Sequence, residues 1–493
     1  MMEPTRRDAL RLGAAAGVAI LAGCAEPIRR LTARELPDRI ELPSGPQDPN
    51  LRLANRLGFG PAPGDLSRID RIGREAFVRE QLAAGSPEDP YLTVMLHRLD
   101  ALRIDSAELQ DLPEQTVLRQ LQQAGLLRAV FGRNQLRERM TDFWTNHFNV
   151  YARKAEGAYR KPADEEAVIR KHALGKFPDL LRASAKSPAM LVYLDNQENR
   201  AGVPNENYAR ELLELHTLGV DGGYEYQDIK ELARCLTGWT VEDRFLRPYG
   251  KWRFDPELHD DGAKTVLGTR IPAGQGEKDV EIVLDLLSRH PSTARFLARK
   301  VCRYFLGDAG ESREKGAAKA FADSGGDVRA TLGPILSSKE LLEGPPILKR
   351  PFDFVASSLR AFGVETDCGS ALLDHLERMG QPLYEWPMPD GYPDKTAAWT
   401  GSLMARWNFA LALAFGEIPG ASIPLEGLRD HTNGDGPGAL AGLAMGKPGK
   451  AVPGLLEARQ KAWSGPSGRG SESNEEWAQS AALCLCAPDF QWR

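Results

Sequence analysis

This 493-residue sequence predicts a mainly α protein, one large multi-helix domain with at most a small β-hairpin. Three observations predict it. Apolar residues recur at three- and four-residue intervals through most of the chain, which puts them on one face of successive helices. Strand-like runs are few. No alternation of strands and helices of the βαβ kind appears, and no Gly-rich phosphate loop. With 42% hydrophobic and 27% charged residues, a sizeable core can form. The formal net charge of −5 lacks the basic excess of a nucleic-acid binder, so no nucleic-acid partner is expected.

The first element is an export signal over residues 1–23. A basic start precedes an apolar run over 12–23, too short to span a bilayer. Arg6 and Arg7 resemble a twin-arginine signal. Ala9 stands where that signal usually has a large apolar residue, so Sec export stays open. Leu21-Ala22-Gly23-Cys24 looks like a lipobox, which implies lipid attachment at Cys24 and a membrane partner through that anchor. Ala25 replaces the Asp of an inner-membrane retention signal, so a periplasm-facing lipoprotein of the outer membrane is expected. Residues 24–50 carry Pro27, Pro37, Pro43, Pro46 and Pro49 and read as a semi-rigid tether. The helical domain then runs over 51–493. Its five cysteines, Cys235, Cys302, Cys368, Cys484 and Cys486, are odd in number and irregularly spaced, and read as small buried hydrophobes.

Within the domain, residues 65–85, 115–148 and 279–290 show helical periodicity, as do "TARFLARKVCRYFLG", "PFDFVASSLRAFG", "GSLMARWNFALALAFG" and "EEWAQSAALCLC". Two strand-like runs, 251–254 and 264–269, bracket a Pro/Gly/Asp-rich stretch and are expected to form one hairpin. Gly and Pro crowd 417–454 and 464–474, which read as long surface loops.

Chemistry concentrates in four stretches. The first is "NENYARELLELHTLG", residues 205–219. On a helical wheel with Asn207 at zero, Glu211 falls near ~40°, Glu214 near ~−20° and Arg210 near ~−60°. Tyr208, Leu212, Leu215 and His216 fall on the other side. Asn205 suits the N-cap and Gly219 the position past the end, and Arg210 with Glu214 makes an i,i+4 pair. The carboxylates either form a solvated face or divide acid and base roles in a cleft. Two His at i,i+4 are lacking, so this is no zincin helix.

In the second stretch, "MTDFWTNHFNV" over 140–150, His147 shares a line with Met140 and Phe143. It is either a hydrogen-bonded core residue or the polar floor of an aromatic pocket flanked by Trp144 and Asn146. The third holds His259 and Asp260 in a loop, where a His–Asp pair can orient an imidazole or ligate a metal, and where Asp-Asp-Gly is also plain turn chemistry. The fourth, "YEWPMPDGYP" over 384–393, is a stiff aromatic loop. It either stacks on sugar rings through residues such as Trp386 or covers the core.

Taken together and in order, "RLANRLGFGPAPGDL", "MTDFWTNHFNV", "AVIRKHALGKFPDLLRASAKSPAMLVYLDN", "NENYARELLELHTLGV", "YQDIKELARCLTGW", "FDPELHDDGAKTVLG" and "CAPDFQWR" resemble the bacterial family catalogued as domain of unknown function 1800. The resemblance runs from about residue 51 to Arg493 and leaves only the Gly-rich loops between about 417 and 475 unmatched. It implies an exported, largely helical protein. It also implies a partner in a second exported family, domain of unknown function 1501, often encoded beside it. It assigns no reaction.

Two functional readings follow. One is a hydrolase acting on an envelope or extracellular polymer such as a glycan. Its catalytic candidates are Glu211, Glu214, His147, His259 and Asp260, and its binding candidates are Arg210, Asn207, Trp144, Asn146, His216 and Trp386. In a metal-dependent version, Zn²⁺ or Mn²⁺ is the cofactor, held by some of His147, Glu211, His216, His259 and Asp260. The other reading is a non-catalytic partner or assembly factor for another exported protein. Convergence of the His, Asp and Glu residues in one cleft favours the first, and scatter the second.

Overall fold

A computed structural model describes residues 48–83, 88–242, 250–307, 310–431, 439–445 and 474–493. The expected export signal, Cys24 and all but the last residues of the tether lie outside these. The chain is mainly α, as its periodicity predicts, with three small two-stranded antiparallel sheets among the described residues. The first described helix, Pro49–Leu57, starts where Asp48 accepts from the backbone N–H of Asn50 and Leu51 and Pro49 sets the first turn.

Two expected long helices are each split by glycine. Residues 65–85 form Asp65–Ile72 and Arg74–Leu82, because Gly73 sits at φ 83° between them. Residues 115–148 form Glu114–Phe131 and Gln135–His147; Gly132 leaves helical geometry and Asn134 caps the second helix through Arg137 N–H. The later periodic runs are the helices Lys278–Arg289, Pro291–Leu306, Pro351–Ala361, Leu403–Ala414 and Asn474–Cys486. The Gly/Pro-rich region is not all loop: among its described residues are the helices Leu425–His431 and Ala439–Met445.

The two strand-like runs do not pair with each other. Lys251–Phe254 pairs with Trp239–Glu242, and Lys264–Val266 turns back on Thr269–Ile271. The second turn has only Leu267 and Gly268 at its tip, at φ 47° and 72°, the backbone of a tight primed hairpin turn. Leucine in that position hides the turn from a reading that looks for Asn-Gly or Asp-Gly.

Two large apolar clusters make the core. One is built around Gln135–His147, Phe177–Ala185, Pro188–Tyr193, residues 207–217, Lys278–Arg289 and Pro291–Leu306. The other is built around Glu114–Phe131, Pro351–Ala361, Ser370–Arg378, Leu403–Ala414 and Asn474–Cys486. Ion pairs cross between them: Arg139 and Asp142 of the Gln135–His147 helix meet Asp353 and Arg350. Arg139 also donates to Gly58 O at 3.0 and 2.7 Å and lies over the Phe59 ring. Cys235, Cys302, Cys368 and Cys484 are buried and Cys486 partly so, all as free thiols.

Candidate functional site

The site is assembled from the end of the Gln135–His147 helix, the 205–219 stretch, the Pro291–Leu306 helix and the loop over 384–394. His147 anchors it. Its ring is buried, with Nε2 3.1 Å from His216 O and Nδ1 3.0 Å from Lys300 Nζ. The carbonyl can only accept, so Nε2 carries the hydrogen and Nδ1 accepts from Lys300. Burial, then Lys300 and His216, push the imidazole well below its usual range, so it stays neutral.

The 205–219 stretch is helical but not uniformly α. Asn205 accepts from Asn207 N–H, an α segment covers Asn207–Glu211, and a π turn covers Leu212–Thr217, closed by Leu218 N–H to Leu213 O. Gly219 ends it at φ 81°. The polar band survives the wider turn, while in the apolar band Leu215 is only half-buried and Leu213, outside that band on the wheel, is buried in its place. Tyr208, Leu212, Leu213 and His216 are buried, while Arg210, Glu211 and Glu214 are half-buried and Asn207 is exposed. Arg210 lies between Glu206 and Glu214, at 3.6 and 3.9 Å. His216 is fully enclosed, neither ring nitrogen has a partner among the described residues, and burial with nearby Lys300 pushes its pKa down to about 3. Near neutral pH it is an uncharged core residue beside His147.

Gly219 also explains how this stretch approaches Lys300. A Cβ there would lie 2.8 Å from the Phe296 ring, and Phe296 is one turn before Lys300. The amine sits above an aromatic ring and against His147, and among the described residues no carboxylate lies within ion-pair distance of it. Burial pushes Lys300 down to about 8, with Asp394 and Asp390 opposing. Glu211 moves the other way. Burial, then Glu214, lift its carboxyl above the ordinary range; Arg210 opposes and Asp390 adds to the lift. Asp390 thus acts on both groups.

The loop carrying Asp390 is clamped. Asn146 Oδ1 accepts from Tyr392 N–H at 2.7 Å and its Nδ2 donates to Tyr392 O at 3.0 Å. Asn149 Nδ2 donates to Trp386 O and Met388 O, and Tyr193 Oη donates to Pro387 O. Gly391, at φ 77°, lets the backbone press on Asn146. Asn146, a binding candidate by sequence, spends its amide on holding this loop. Trp386 is half-exposed on its rim, its ring 4.9 Å from Tyr392.

The three His-bearing stretches converge only in part: His147 and Glu211 belong to this site, whereas His259 and Asp260 stand apart, a scatter that counts toward the non-catalytic reading. Trp144 is a core residue, donating to Ala173 O at 3.0 Å. His259 is buried, its Nδ1 2.8 Å from Thr237 O and its Nε2 3.2 Å from Asp279. Asp260 is gripped by Arg234 at 2.8 and 3.0 Å, which holds its pKa down to about 2. These contacts make the 254–268 loop a structural joint. Among the described residues, no three His, Cys, Asp or Glu side chains are grouped to hold a metal ion. His147 and His259 already use both ring nitrogens.

Behind the clamped loop is a small cavity of about 50 Å³, with Asn146, Asn149, Tyr384 and Tyr392 in its wall. Its charges neutralise one another: Arg170 binds Glu138 twice, Arg350 binds Asp142, and Glu165 accepts from Thr145 and Lys161. It reads as an ionic network joining helices. Sequence reasoning missed Lys300, Asp390 and Tyr193. The available signal was Phe296–Lys300–Tyr304, one helical line with a lysine between two aromatics.

No curated protein and no solved structure matches this chain. The profile of one family, described as "Protein of unknown function (DUF1800)", matches residues 52–492, which include every stretch that builds the site. The ordered motifs seen in the sequence and this match over nearly the whole helical body agree: the chain belongs to the DUF1800 family.

Proposed function

We propose that the protein is an exported, lipid-anchored hydrolase of an envelope or extracellular polymer such as a glycan, acting through Glu211 and Lys300. The observation that carries this reading is the pairing of their displacements around Asp390. A carboxylate whose pKa is lifted is a stronger base near neutral pH, and an ammonium pushed down to about 8 is a stronger acid. Glu211 takes a proton from a water as its oxygen attacks the scissile carbon. Lys300 gives a proton from Nζ to the leaving oxygen. One water is consumed, and proton exchange with solvent restores both groups. His147 positions Lys300 through Nδ1, Arg210 and Glu214 hold the Glu211 wall, and Trp386 offers a ring face to a sugar.

The test is release of new reducing ends from envelope glycan by wild type, Glu211→Gln and Lys300→Met. Each variant is expected to lose about 10²–10⁴-fold in kcat/KM, the usual weight of general acid–base catalysis. The wild-type profile is a bell. Its acid limb lies above the ordinary Glu value and its alkaline limb near pH 8, and Lys300→Met removes the alkaline limb. Full activity in either variant overturns this site. Binding of the polymer without turnover moves the assignment to a non-catalytic partner, with an exported protein of the domain of unknown function 1501 family as its candidate.

A further inference from the structure

The Leu403–Ala414 helix is apolar on both sides. Its inner side, with Phe409, Ala410 and Leu413, packs in the second cluster beside the Asn474–Cys486 helix. Its outer side carries Leu403, Met404, Trp407 and Leu411, continued by Phe415 just past its end, all exposed. With Leu403 at zero these five span an arc of about 120° on the wheel. No polar or charged residue falls on that arc, Asn408 lying just past its edge at about 140°; Arg406 points inward to Lys349 O at 2.7 Å. Met404 is 64% exposed and Trp407 38%, values of a face left to solvent rather than of the edge of a core. A contiguous patch of this kind marks a contact surface.

We infer that this face rests on an uncharged phospholipid surface. Trp, Phe, Leu and Met on one side of a rigidly packed helix suit shallow insertion at the headgroup boundary, and the lack of Lys and Arg on the arc points away from anionic headgroups. The attachment of the N-terminal tether supports the same occupant. The stretch over 344–349 touches both regions: Arg56 donates to Gly344 O and Pro345 O, and Arg406 donates to Lys349 O. Residues 345 to 349 span at most about 14 Å, so the first helix and the apolar helix are held near one another. Trp492, as exposed as Trp407, bridges to Leu348 between them. From Cys24 to Asp48 the chain can extend at most about 85 Å, ample for the face to reach the membrane that holds the anchor. The inference rests on the anchored reading.

The experiment uses the full-length protein, processed by its own signal, with phosphatidylcholine vesicles whose acyl chains are brominated. Contact quenches a component of tryptophan emission that Trp407→Phe lacks, and Leu411→Glu with Phe415→Glu reduces that component at least about fivefold at unchanged helix content. Its size is unchanged between low and high salt. Flotation and the mass of the mature N-terminus report the anchor separately. A chain that is acylated and floats, with no Trp407 component, overturns the lipid face and leaves the anchor standing. A quenched Trp407 in a chain without acyl groups overturns the anchor and keeps the face. Self-association that hides Trp407 without lipid, and that Leu411→Glu dissolves, assigns the face to a second copy and overturns the inference.

Discussion

Lys349 shows how far single residues depart from their ordinary chemistry in this chain. It is buried, its ammonium 3.7 Å from the centre of the Phe490 ring. Burial pushes its pKa down to about 7, with Arg139, Arg406 and Arg493 adding and Asp353 opposing. The folded value lies below the unfolded one, so between about pH 7 and 10 the unfolded chain binds the proton more tightly, and stability rises with pH through that window. Lys349→Met is expected to raise the unfolding free energy at pH 7 by about 1–3 kcal/mol, because an apolar chain of similar length removes a costly buried charge. It also removes the alkaline gain. Urea unfolding at pH 7 and pH 9 checks both, and a loss at pH 7 would show that the cation–ring contact outweighs the burial. Lys349 was not legible from spacing, since a lysine in an amphipathic pattern reads as solvated, and Lys300 offered only the Phe296–Lys300–Tyr304 line. What distinguishes Lys349 is the Phe490 ring brought over it from afar, and what distinguishes Lys300 is His147, 153 residues away in sequence. Glu211, Glu214 and His147 were legible, because their bands are local to one stretch.

At the scale of elements, the clamped 384–394 loop and the π turn decide the site's geometry. The turn over Leu212–Thr217 was not legible, because π and α turns share the same residues and differ only in hydrogen-bond register. Its caps at Asn205 and Gly219 were. The loop's stiffness was legible in its prolines, but its partner, the Asn146 amide, is 246 residues away in sequence. Gly391→Ala tests this joint. It forces a side chain onto φ 77°, with Cβ 2.2 Å from Asn146 O. Strain of about 1–3 kcal/mol is expected locally. Protease cleavage within 384–394 should accelerate about tenfold or more while Tm moves by only a few degrees, and glycan hydrolysis should fall with it. Unchanged cleavage would mean that the loop is held by its prolines and Tyr193 rather than by this contact.

The molecule as a whole is held across its two apolar clusters by buried charge, and there the sequence is least legible. Periodicity separates helices, but it does not say that Arg139 of one cluster meets Asp353 of the other. Despite the cost of burial, Arg139, Arg493 and Arg350 together hold the Asp353 carboxyl well below the usual carboxylate range. A depressed carboxylate contributes stability that is fully present above the unfolded pKa near 4 and is lost as pH falls toward the folded value. Asp353→Asn removes that contribution and leaves buried guanidinium groups unpaired, a loss of about 3–5 kcal/mol at pH 7. Below about pH 4 the wild-type advantage should shrink by about 1.4 kcal/mol per pH unit, because the unfolded wild-type chain takes up a proton that the folded one refuses. Denaturant titrations of both proteins at pH 7 and pH 3 measure it. The variant should also unfold in two steps at neutral pH, the clusters parting before either melts; a single step with an unchanged gap at pH 3 would place the coupling in the apolar contacts instead.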